Sequence, residues 1–319
     1  MKNEHSHIKS SPGGENSPPE LQRDSDRNDA AKNVEQALKL IAGREIGRDF
    51  KRAHELLKCA ADAKHGDATL ILASLTAAGM GRPVSWPEAL DILKRAASFS
   101  IDAKSDLALI DRMALSPIGY PKKKIIPETL SEKPKVAVIR NFLSEAECRH
   151  VAMSVADILE PSTIIDPITG KERPNPIRTS FGSAVGPTRQ SLPIQAILRR
   201  IAMATGTEID QGEPLMVLSY APGQQYRPHL DAISGISNQR IRTVILYLNS
   251  GYRGGETIFT RTGLKWSAKG GDALIFDNVL PESGAPDPLA EHAGLPVLQG
   301  NKWIATRWIR QTAFDAFAA

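Results

Sequence analysis

The spacing of apolar residues changes partway along the chain, and this change restricts the fold more than any other feature of the sequence. From about residue 31 to 115, apolar residues recur with a helical period in stretches such as FKRAHELLKCAADA, each ending near a Gly or a polar turn. From about residue 135 onward, short β-rich runs such as IRTVILYLNS alternate with Gly, Pro and Asp turns. The sequence therefore predicts an α+β protein with its helices and strands largely segregated along the chain.

Four segments follow from these patterns. Residues 1–30 are rich in Ser, Pro, Gly and charge and almost free of large apolar side chains, so we expect them to be disordered. Residues 31–115 are predicted as an all-α domain of helical hairpins, and the proline-rich residues 116–134 as an interdomain linker. Residues 135–319 begin with a strand and a helix whose N-cap is Ser144, and the many short strands that follow favour a β-sandwich or barrel, with a double-stranded β-helix (jelly roll) as the natural candidate.

A repeat is visible within the helical segment. HELLKCAA at 54–61 and LDILKRAA at 90–97 match at an offset of 36 residues, the period of a two-helix solenoid unit. With its Gly-containing turn, short linker and Ala-rich helix, AAGMGRPVSWPEALDILKRAA resembles the Sel-one-like branch of the tetratricopeptide superfamily. The resemblance implies helical repeats able to bind a protein partner. A helical lid or packing domain is the alternative.

Charge and cysteine content exclude several classes of protein. The chain has 40 Lys and Arg against 36 Asp and Glu, a net charge of +4 with no long block of one sign, so neither nucleic acid nor a membrane surface is an expected partner. The two cysteines, Cys59 and Cys148, are too few for a disulfide scaffold and are expected to be core thiols. No apolar run is long enough for a membrane span or a signal peptide. We expect a cytoplasmic protein.

The stretch YRPHLDA places His229 and Asp231 two positions apart after an apolar run and a turn. Side chains at such positions of a strand point to the same face, so they form either half of a metal site or a polar pair on a strand edge. A metal site needs a second imidazole, and His292, which precedes a strand-like segment, is the better placed of the remaining histidines. Two His and one carboxylate leave three adjacent coordination positions open, which suits non-heme Fe(II) better than zinc.

Over roughly residues 135–311, the chain resembles the prolyl 4-hydroxylase group of Fe(II)- and 2-oxoglutarate-dependent dioxygenases. The resemblance is carried by VAVIRNFLSEAEC, IRTSFGS, YAPGQQYRPHLD, RTVILYLNSGYRGGETIF, KGGDALIFDN and HAGLPVLQGNKWIATRWIR. It implies that His229, Asp231 and His292 bind the iron, and that Lys302, ten residues after His292, binds the distal carboxylate of 2-oxoglutarate. A buried carboxylate needs such a cation beside it.

The resemblance suggests further site residues. Tyr220, Tyr247 and Thr257 would offer hydroxyl groups near the cosubstrate, and Arg178 would lie near the substrate entrance. Packing within a strand is the alternative role for the tyrosines and the threonine, and a structural role is the alternative for Arg178. Lys302 is either this ligand or an ordinary surface lysine, although it adjoins the apolar strand WIATRW.

The resemblance implies a hydroxylase that uses Fe(II), 2-oxoglutarate and O2, with ascorbate as a further cofactor, and acts on proline in a peptide or protein. Two alternatives stay open. The same fold could hydroxylate free proline, another residue or a small metabolite, or the chain could be a repeat-based interaction protein with an inactive oxygenase domain.

Overall fold

The computed structural model of this chain describes residues 19–165 and 172–315. Within those ranges the chain forms seven α-helices, numbered α1 to α7: Pro19–Ala42, Phe50–Asp62, Gly66–Ala78, Trp86–Ala96, Ile101–Arg112, Glu145–Met153 and Leu192–Thr205. Local chemistry explains where α6 begins. The Ser144 hydroxyl accepts a hydrogen bond from the Glu147 N–H, and the Glu147 carboxylate accepts one from the Ser144 N–H. The predicted N-cap is confirmed.

The helical region starts earlier than the sequence predicts. Helix α1 begins at Pro19, so residues 19–30, expected to be disordered, are helical, while residues 1–18 lie outside the described part of the chain. Ala30 and Ala37 are buried where α1 packs along α2. Alanines spaced at a helical period allow two helices to approach closely. Because alanine adds little to a count of large apolar residues, the composition of residues 19–30 did not indicate a helix.

Helices α1 to α5 pack in sequence, each against the next along the chain. The matching segments 54–61 and 90–97 fall on α2 and on α4 with its C-cap, and these helices pack against α1 and α3 respectively as well as against the helices that follow them. Helix α7 packs against both α3 and α5. Across residues 19–165 and 172–315, no helix has the length and apolarity that crossing a membrane requires.

The strands, numbered β1 to β16 along the described chain, are Glu128–Glu132, Lys135–Ile139, Glu160–Pro161, Thr163–Ile165, Glu172–Pro174, Phe181–Ala184, Met216–Tyr220, Tyr226–His229, Arg240–Tyr247, Arg253–Gly254, Thr257–Phe259, Lys265–Trp266, Ala273–Asp277, His292–Gly294, Val297–Gln299 and Lys302–Arg310. Every ladder between them is antiparallel. The large sheet has the order β1-β2-β13-β9-β16-β7-β6-β3, and the small sheet the order β12-β11-β14-β8. The prediction of helices followed by antiparallel strands is confirmed.

The segment predicted as a linker, residues 116–134, contains strand β1, which pairs with β2 at the edge of the large sheet. Residues of β1 are exposed or half-buried. An edge strand needs only one hydrogen-bonded neighbour and tolerates polar and charged side chains, so the sequence of β1 lacks the apolar alternation that marks an inner strand.

Alternation along β16 assigns its side chains to two faces. Lys302, Ile304, Thr306 and Trp308 line the cavity of the candidate site described below. The residues between them face the helices, where Ala305 and Ile309 join a buried cluster that includes side chains of α1 to α7. Strand β9 alternates in the same way. The large sheet thus carries the site on one face and packs against the helices on the other.

The two cysteines differ in their surroundings. Cys148 on α6 is buried, as predicted, but Cys59 on α2 is exposed, so the expectation of two core thiols is wrong for Cys59. Cys59 lies on the outer face of the helix, between the buried positions Leu56 and Ala60, and its neighbour Lys58 is exposed as well. Leu56 and Ala60 belong to the buried face of α2, and Cys59 does not contribute to it.

Candidate active site

The ladder between β8 and β14 brings the three predicted ligands together. His292 on β14 lies directly opposite His229 on β8, and Asp231 follows β8 by two residues. One ligand atom from each of the three side chains can be chosen so that all lie within 4.8 Å of one another. Among the described residues this is the one group of His, Cys, Asp and Glu side chains with such a geometry.

The carboxylate of Asp231 lies between the two imidazoles. Nε2 of His229 is 3.6 Å from Oδ1 of Asp231, and Nε2 of His292 is 3.7 Å from Oδ2. All three side chains are almost fully buried. At these separations the nitrogen and oxygen atoms do not contact each other directly but surround a common point.

Backbone carbonyl groups determine which nitrogen of each imidazole carries the proton. Nδ1 of His229 is 2.8 Å from the carbonyl oxygen of Arg227, and Nδ1 of His292 is 3.0 Å from that of Ala290. A carbonyl oxygen can only accept, so each Nδ1–H donates and each Nε2 keeps a free lone pair. Both Nε2 lone pairs are therefore available to a metal ion on the side of Asp231.

Asp231 is held by a chain of hydrogen bonds from Thr243 on β9 and from Asn278, the residue that follows β13. The Thr243 hydroxyl donates to Oδ2 of Asp231 at 2.6 Å, and the Asn278 amide donates to the Thr243 oxygen at 2.9 Å. Burial alone would raise the pKa of Asp231, but His292, His229 and the Thr243 hydroxyl outweigh it and hold the pKa well below its ordinary value. The carboxylate is therefore ionised at neutral pH.

Aromatic side chains surround the imidazoles. Phe276 meets His292 edge-on at 4.6 Å between ring centroids, and Tyr226 stacks on His229 at 3.5 Å with an angle of 16° between the rings. Burial lowers the pKa of His292 to about 4. A neutral imidazole beside an ionised carboxylate presents electron pairs and no proton to the space between them.

Such a set of atoms fits a divalent cation. Lone pairs of two imidazoles and an ionised carboxylate converge on one point, an arrangement that is unfavourable in a buried place unless a cation occupies it. The two nitrogens and one oxygen are donors that divalent first-row transition metals accept. The side chains of this chain can therefore hold a metal without rearrangement of their hydrogen bonds.

Lys302 lies in the same cavity, at the start of β16. Its side chain is 4% exposed, and Nζ donates to the carbonyl oxygen of Gly255 at 2.6 Å. Burial lowers the pKa of Lys302 to about 8. Within the described part of the chain no carboxylate forms an ion pair with this ammonium group, although Glu256 raises its pKa somewhat through space. A buried cation with only a carbonyl partner favours an anionic ligand.

The three predicted hydroxyl donors are also buried. Lys302 pairs with Tyr220 across the β16–β7 ladder, and its ammonium lies 5.5 Å from the centroid of the Tyr247 ring. The Tyr247 hydroxyl and Oγ1 of Thr257 are 2.8 Å apart. Burial raises the pKa of both tyrosines, so both stay protonated. Tyr220 and Thr257 line the cavity together with Lys302 and the three metal-ligand candidates.

Arg178 lies outside this cavity but touches its rim. Its guanidinium is 5.6 Å from the centroid of the Tyr226 ring, and Nε donates to the Ser162 hydroxyl at 3.1 Å. An isolated bridge pairs the backbone of Arg178 with Tyr226. Arg178 is half-buried and is linked to His229 through the stacked Tyr226 ring.

Sequence reasoning missed several residues that shape the cavity. Thr243 orients Asp231, Tyr226 covers His229, and Trp308 lines the cavity. The period-2 alternation of RTVILY and KWIATRW carried the signal for two of them. Thr243 shares a strand face with Tyr247, and Trp308 shares one with Lys302.

Three comparisons with known proteins found chains that are similar to this one. A family profile described as the 2OG-Fe(II) oxygenase superfamily matches residues 215–310. Among curated relatives, probable prolyl 4-hydroxylase 10 of Arabidopsis thaliana is 34% identical over 232 residues, which cover 65% of this chain and 80% of the relative. Prolyl 4-hydroxylase 1 of the same plant is 35% identical over 206 residues, covering 59% of this chain and 72% of the relative.

Solved structures include a similar protein as well. The viral collagen prolyl hydroxylase vCPH from Paramecium Bursaria Chlorella virus-1, solved as a 2OG complex, superposes with a TM-score of 0.44 at 27% sequence identity. The superposition covers 56% of this chain and 96% of the viral chain.

Proposed function

The chain belongs to the prolyl 4-hydroxylase-like group of the 2OG-Fe(II) oxygenase superfamily, and we propose that it hydroxylates prolyl residues of a peptide or protein. The reaction consumes 2-oxoglutarate and O2 and releases succinate and carbon dioxide. The names of the curated relatives support the substrate class, and the geometry of the buried triad supports the chemistry.

One observation carries this proposal. Nδ1 of each imidazole lies within hydrogen-bond distance of a carbonyl oxygen two residues upstream, and Nε2 of each faces the Asp231 carboxylate. A polar pair on a strand edge, the alternative interpretation of the sequence, would not need this common orientation. A metal ion does.

We infer that His229, Asp231 and His292 hold Fe(II). When bound, the iron would supply the oxidising chemistry that couples decarboxylation of 2-oxoglutarate to hydroxylation of a C–H bond. The protein supplies the ligand geometry, and the Thr243 hydrogen bond helps to hold the Asp231 carboxylate facing the imidazoles. Three protein ligands leave adjacent positions for the cosubstrate.

Lys302 is proposed to bind the distal carboxylate of 2-oxoglutarate. It is a buried cation in the same cavity as the triad and forms no ion pair in the ranges that the structure describes. Tyr220, Tyr247 and Thr257 are proposed to donate hydrogen bonds to the cosubstrate, with the protonated phenol groups as donors at neutral pH. The carboxylate would then exchange its water shell for buried protein partners.

Arg178 is proposed to contact the substrate. Its guanidinium and the Tyr226 ring lie together at the rim, and Tyr226 stacks on His229. A flat cation and an aromatic ring so close to the triad could hold a peptide backbone and a prolyl ring against the reacting centre.

The finer fold assignments are also proposals. The small sheet and the inner face of the large sheet surround one buried cluster, which supports a double-stranded β-helix for residues 135–319. The matching segments on α2 and α4 support Sel-one-like repeats in residues 31–115, which would recruit a protein partner or a protein substrate. The cytoplasmic location stays a prediction.

The decisive experiment is an oxygenation assay on the full chain. Protein supplied with Fe(II), 2-oxoglutarate and ascorbate is incubated with a set of synthetic proline-containing peptides, and peptide mass and succinate are measured together. We expect a gain of one oxygen atom on at least one peptide, with succinate in step. His229→Ala should abolish both signals, whereas His54→Ala, a half-buried histidine of α2 remote from the triad, should change neither.

Other outcomes would reject parts of the proposal. If free proline is converted while no peptide gains oxygen, the peptide substrate is wrong but the oxygenase chemistry is right. Succinate release that stays at the level of the His229→Ala variant, with every substrate class offered, would instead favour an interaction protein with an inactive oxygenase domain. Omitting ascorbate tests whether it serves as a reductant.

A further inference from the structure

A second cavity, separate from the candidate active site, lies where the helical region meets the sheet. This cleft has a volume of about 810 Å³, within the range of small-molecule sites. Its walls come from the end of α3, the start of α4, the turn at Tyr120, helix α7, the segment around residues 208–214 and the last described residues after β16. Trp86, Tyr120 and Phe314 give it aromatic surfaces, and two arginines, Arg199 and Arg307, line it as well.

Arg199 projects from α7 and is 3% exposed. Its guanidinium donates to the backbone and side-chain oxygens of Gln195 and to the carbonyl oxygen of Ala77, and lies 4.7 Å from the centroid of the Trp86 ring. A guanidinium has more N–H groups than these three bonds use. Burial lowers the pKa of Arg199 to about 10, still far above neutral, so the side chain carries its charge.

Arg307 lies on β16, on the face opposite Lys302 and the triad. It is also 3% exposed, and its guanidinium donates to the carbonyl oxygens of Glu213, Leu198 and Ile209. Burial lowers its pKa to about 10.

The place that the Arg307 guanidinium occupies depends on Gly212. A Cβ at Gly212 would overlap the Arg307 guanidinium, so this glycine provides the space in which the charge rests.

Neither guanidinium has a carboxylate partner among the residues that the structure describes. Glu213, the acidic residue nearest the floor of the cleft, is already paired with Arg240 and Arg310, each at 2.6 Å. The remaining acidic residues of the lining, Glu208, Asp210 and Asp315, are exposed at its mouth. The floor of the cleft is therefore positively charged and without a compensating anion, an arrangement that costs stability when the cleft is empty.

The mouth of the cleft carries apolar side chains that no described residue covers. Val84 is 63% and Ile118 61% exposed, and both line the cleft. Apolar groups at the entrance and two unpaired buried cations at the floor are complementary to an amphipathic anion.

We propose that this cleft binds a small amphipathic anion, with a carboxylate or phosphate group between Arg199 and Arg307 and an apolar body along Trp86, Ile118 and Val84. Arg307 supplies one guanidinium from the sheet and Arg199 the other from α7, and the apolar body would reach the helical region at Trp86 and Val84. Carboxylate and phosphate share the oxyanion that two guanidinium groups recognise, and the apolar body is what distinguishes this ligand from a free inorganic ion.

The test measures binding to the full chain by isothermal titration calorimetry with three probes of one chain length: octanoate, octyl phosphate and the uncharged octanamide. We expect saturable binding of octanoate or octyl phosphate, the better of the two identifying the head group, and no saturable binding of octanamide. Excess 2-oxoglutarate should leave this binding unchanged, because it occupies the other face of the sheet.

A pair of surface variants makes the location testable without disturbing the core. Ile118→Glu places a like charge at the mouth and should weaken the preferred probe by about tenfold or more. Ile126→Glu alters a residue that is 77% exposed and does not line the cleft, and should have no effect. Circular dichroism confirms folding of both. Arg199→Met, if it folds, should abolish binding.

The proposal is overturned by any of three results: octanamide binding as tightly as the anions, Ile118→Glu leaving the affinity unchanged, or 2-oxoglutarate displacing the probe. The last result would put the probe beside Lys302. All readouts are binding constants, so they are independent of whether the chain hydroxylates proline.

Discussion

The ammonium group of Lys302 is in an unfavourable environment in the ligand-free protein for two reasons. It is buried, which lowers its pKa to about 8, and its ammonium group has only a carbonyl oxygen as its hydrogen-bond partner. Such a lysine destabilises the empty site and stabilises the complex with an anion. A single substitution should therefore have opposite effects on folding and on cosubstrate binding.

We predict that Lys302→Met raises the KM for 2-oxoglutarate by about a hundredfold, because the distal carboxylate loses its buried cation. The same variant without ligand should gain about 1 kcal/mol of unfolding free energy. Steady-state kinetics and urea unfolding measure the two effects. Lys269→Met, which removes an exposed lysine, should change neither. Loss of stability together with unchanged KM would show that Lys302 serves the fold alone.

Asp106 is a buried acid at the junction of α5 with the oxygenase domain. Its carboxylate lies 3.7 Å from Nδ1 of His150 on α6, and Nε2 of His150 lies 2.7 Å from the Ser191 hydroxyl at the start of α7. Burial, with a smaller effect from Asp102, raises the pKa of Asp106 from 3.8 to about 7. The folded protein therefore binds this proton more tightly than the unfolded chain does.

Because the folded pKa of Asp106 lies above the unfolded value, its contribution to stability is fully present below about pH 4 and is lost as the pH rises towards 7. We predict that Asp106→Asn is close to wild type in unfolding free energy at pH 4 and more stable than wild type at pH 8. Urea unfolding across this range measures the difference. His150 lies 3.7 Å from this carboxylate, so the difference reports Asp106 together with its interaction with His150. A constant difference between the two would contradict the prediction.

At the level of the elements, Gly271 lies in the turn before β13 and is hydrogen-bonded to the segment that leads into α6. Its N–H donates to the carbonyl oxygen of Tyr247, and its carbonyl oxygen accepts from the Leu143 N–H. The backbone has a φ of +95°, and a Cβ at this position would overlap the carbonyl oxygen of Leu143. Strain and overlap both argue against any side chain here.

Gly263 offers a matched control, since it also has a positive φ, +74°, but nothing within 4 Å of an added Cβ. We predict that Gly263→Ala costs about 1 kcal/mol through backbone strain alone, and that Gly271→Ala costs about 1–3 kcal/mol more because the backbone of Leu143 must move. Urea midpoints with unchanged m-values give both numbers. Equal costs at the two positions would mean that the close approach is unimportant.

The sequence predicted features that depend on neighbouring residues, but it did not predict which strands, distant along the chain, pair with each other. The N-cap at Ser144 and the shared face of His229 and Asp231 depend on neighbours within a few residues. The facing position of His292 depends on a ladder between distant strands, which no periodicity encodes; His292 was selected as the better placed of the remaining histidines and then by resemblance. Arg199 had no signal at all, because a charged residue in a helix is normally solvated.

At the scale of the whole molecule, a continuous buried cluster runs from α1 through α7 to one face of the large sheet, and a second cluster lies on the other face of that sheet. Helix α7 packs against α3 and α5, and Arg199 bonds to the carbonyl oxygen of Ala77 at the end of α3. Two domains joined by a flexible linker would lack such a shared core. The proline and lysine content of residues 116–134 predicted an interdomain linker. Composition indicates how stiff and how solvated a segment is, but not which other parts of the chain it packs against.

This continuity predicts one cooperative unfolding transition. Far-UV circular dichroism, which is dominated by helices, and tryptophan fluorescence, to which Trp303 and Trp308 of β16 contribute, should give the same urea midpoint. Leu75→Ala, at a fully buried position of α3, should lower both midpoints together by about 2–5 kcal/mol in unfolding free energy. Leu38→Ala, at a 39% exposed position of α1, is the control.

Separate midpoints for the two signals would contradict a shared core. So would a Leu75→Ala effect confined to the dichroism signal. In either case the helical region would be an independent module, and the cleft between it and the sheet would lose its fixed geometry.

The pairing of His292 with His229 across two adjacent strands has a consequence for recognising similar proteins. The stretch from residue 232 to residue 291 forms other strands and turns, and its length does not affect where the imidazoles meet. A sequence pattern that requires a constant number of residues between the two histidines would miss true relatives in which the intervening segment is longer or shorter. The interval of two between His229 and Asp231 allows less latitude, since an inserted residue would displace the carboxylate from its place beside the two imidazoles.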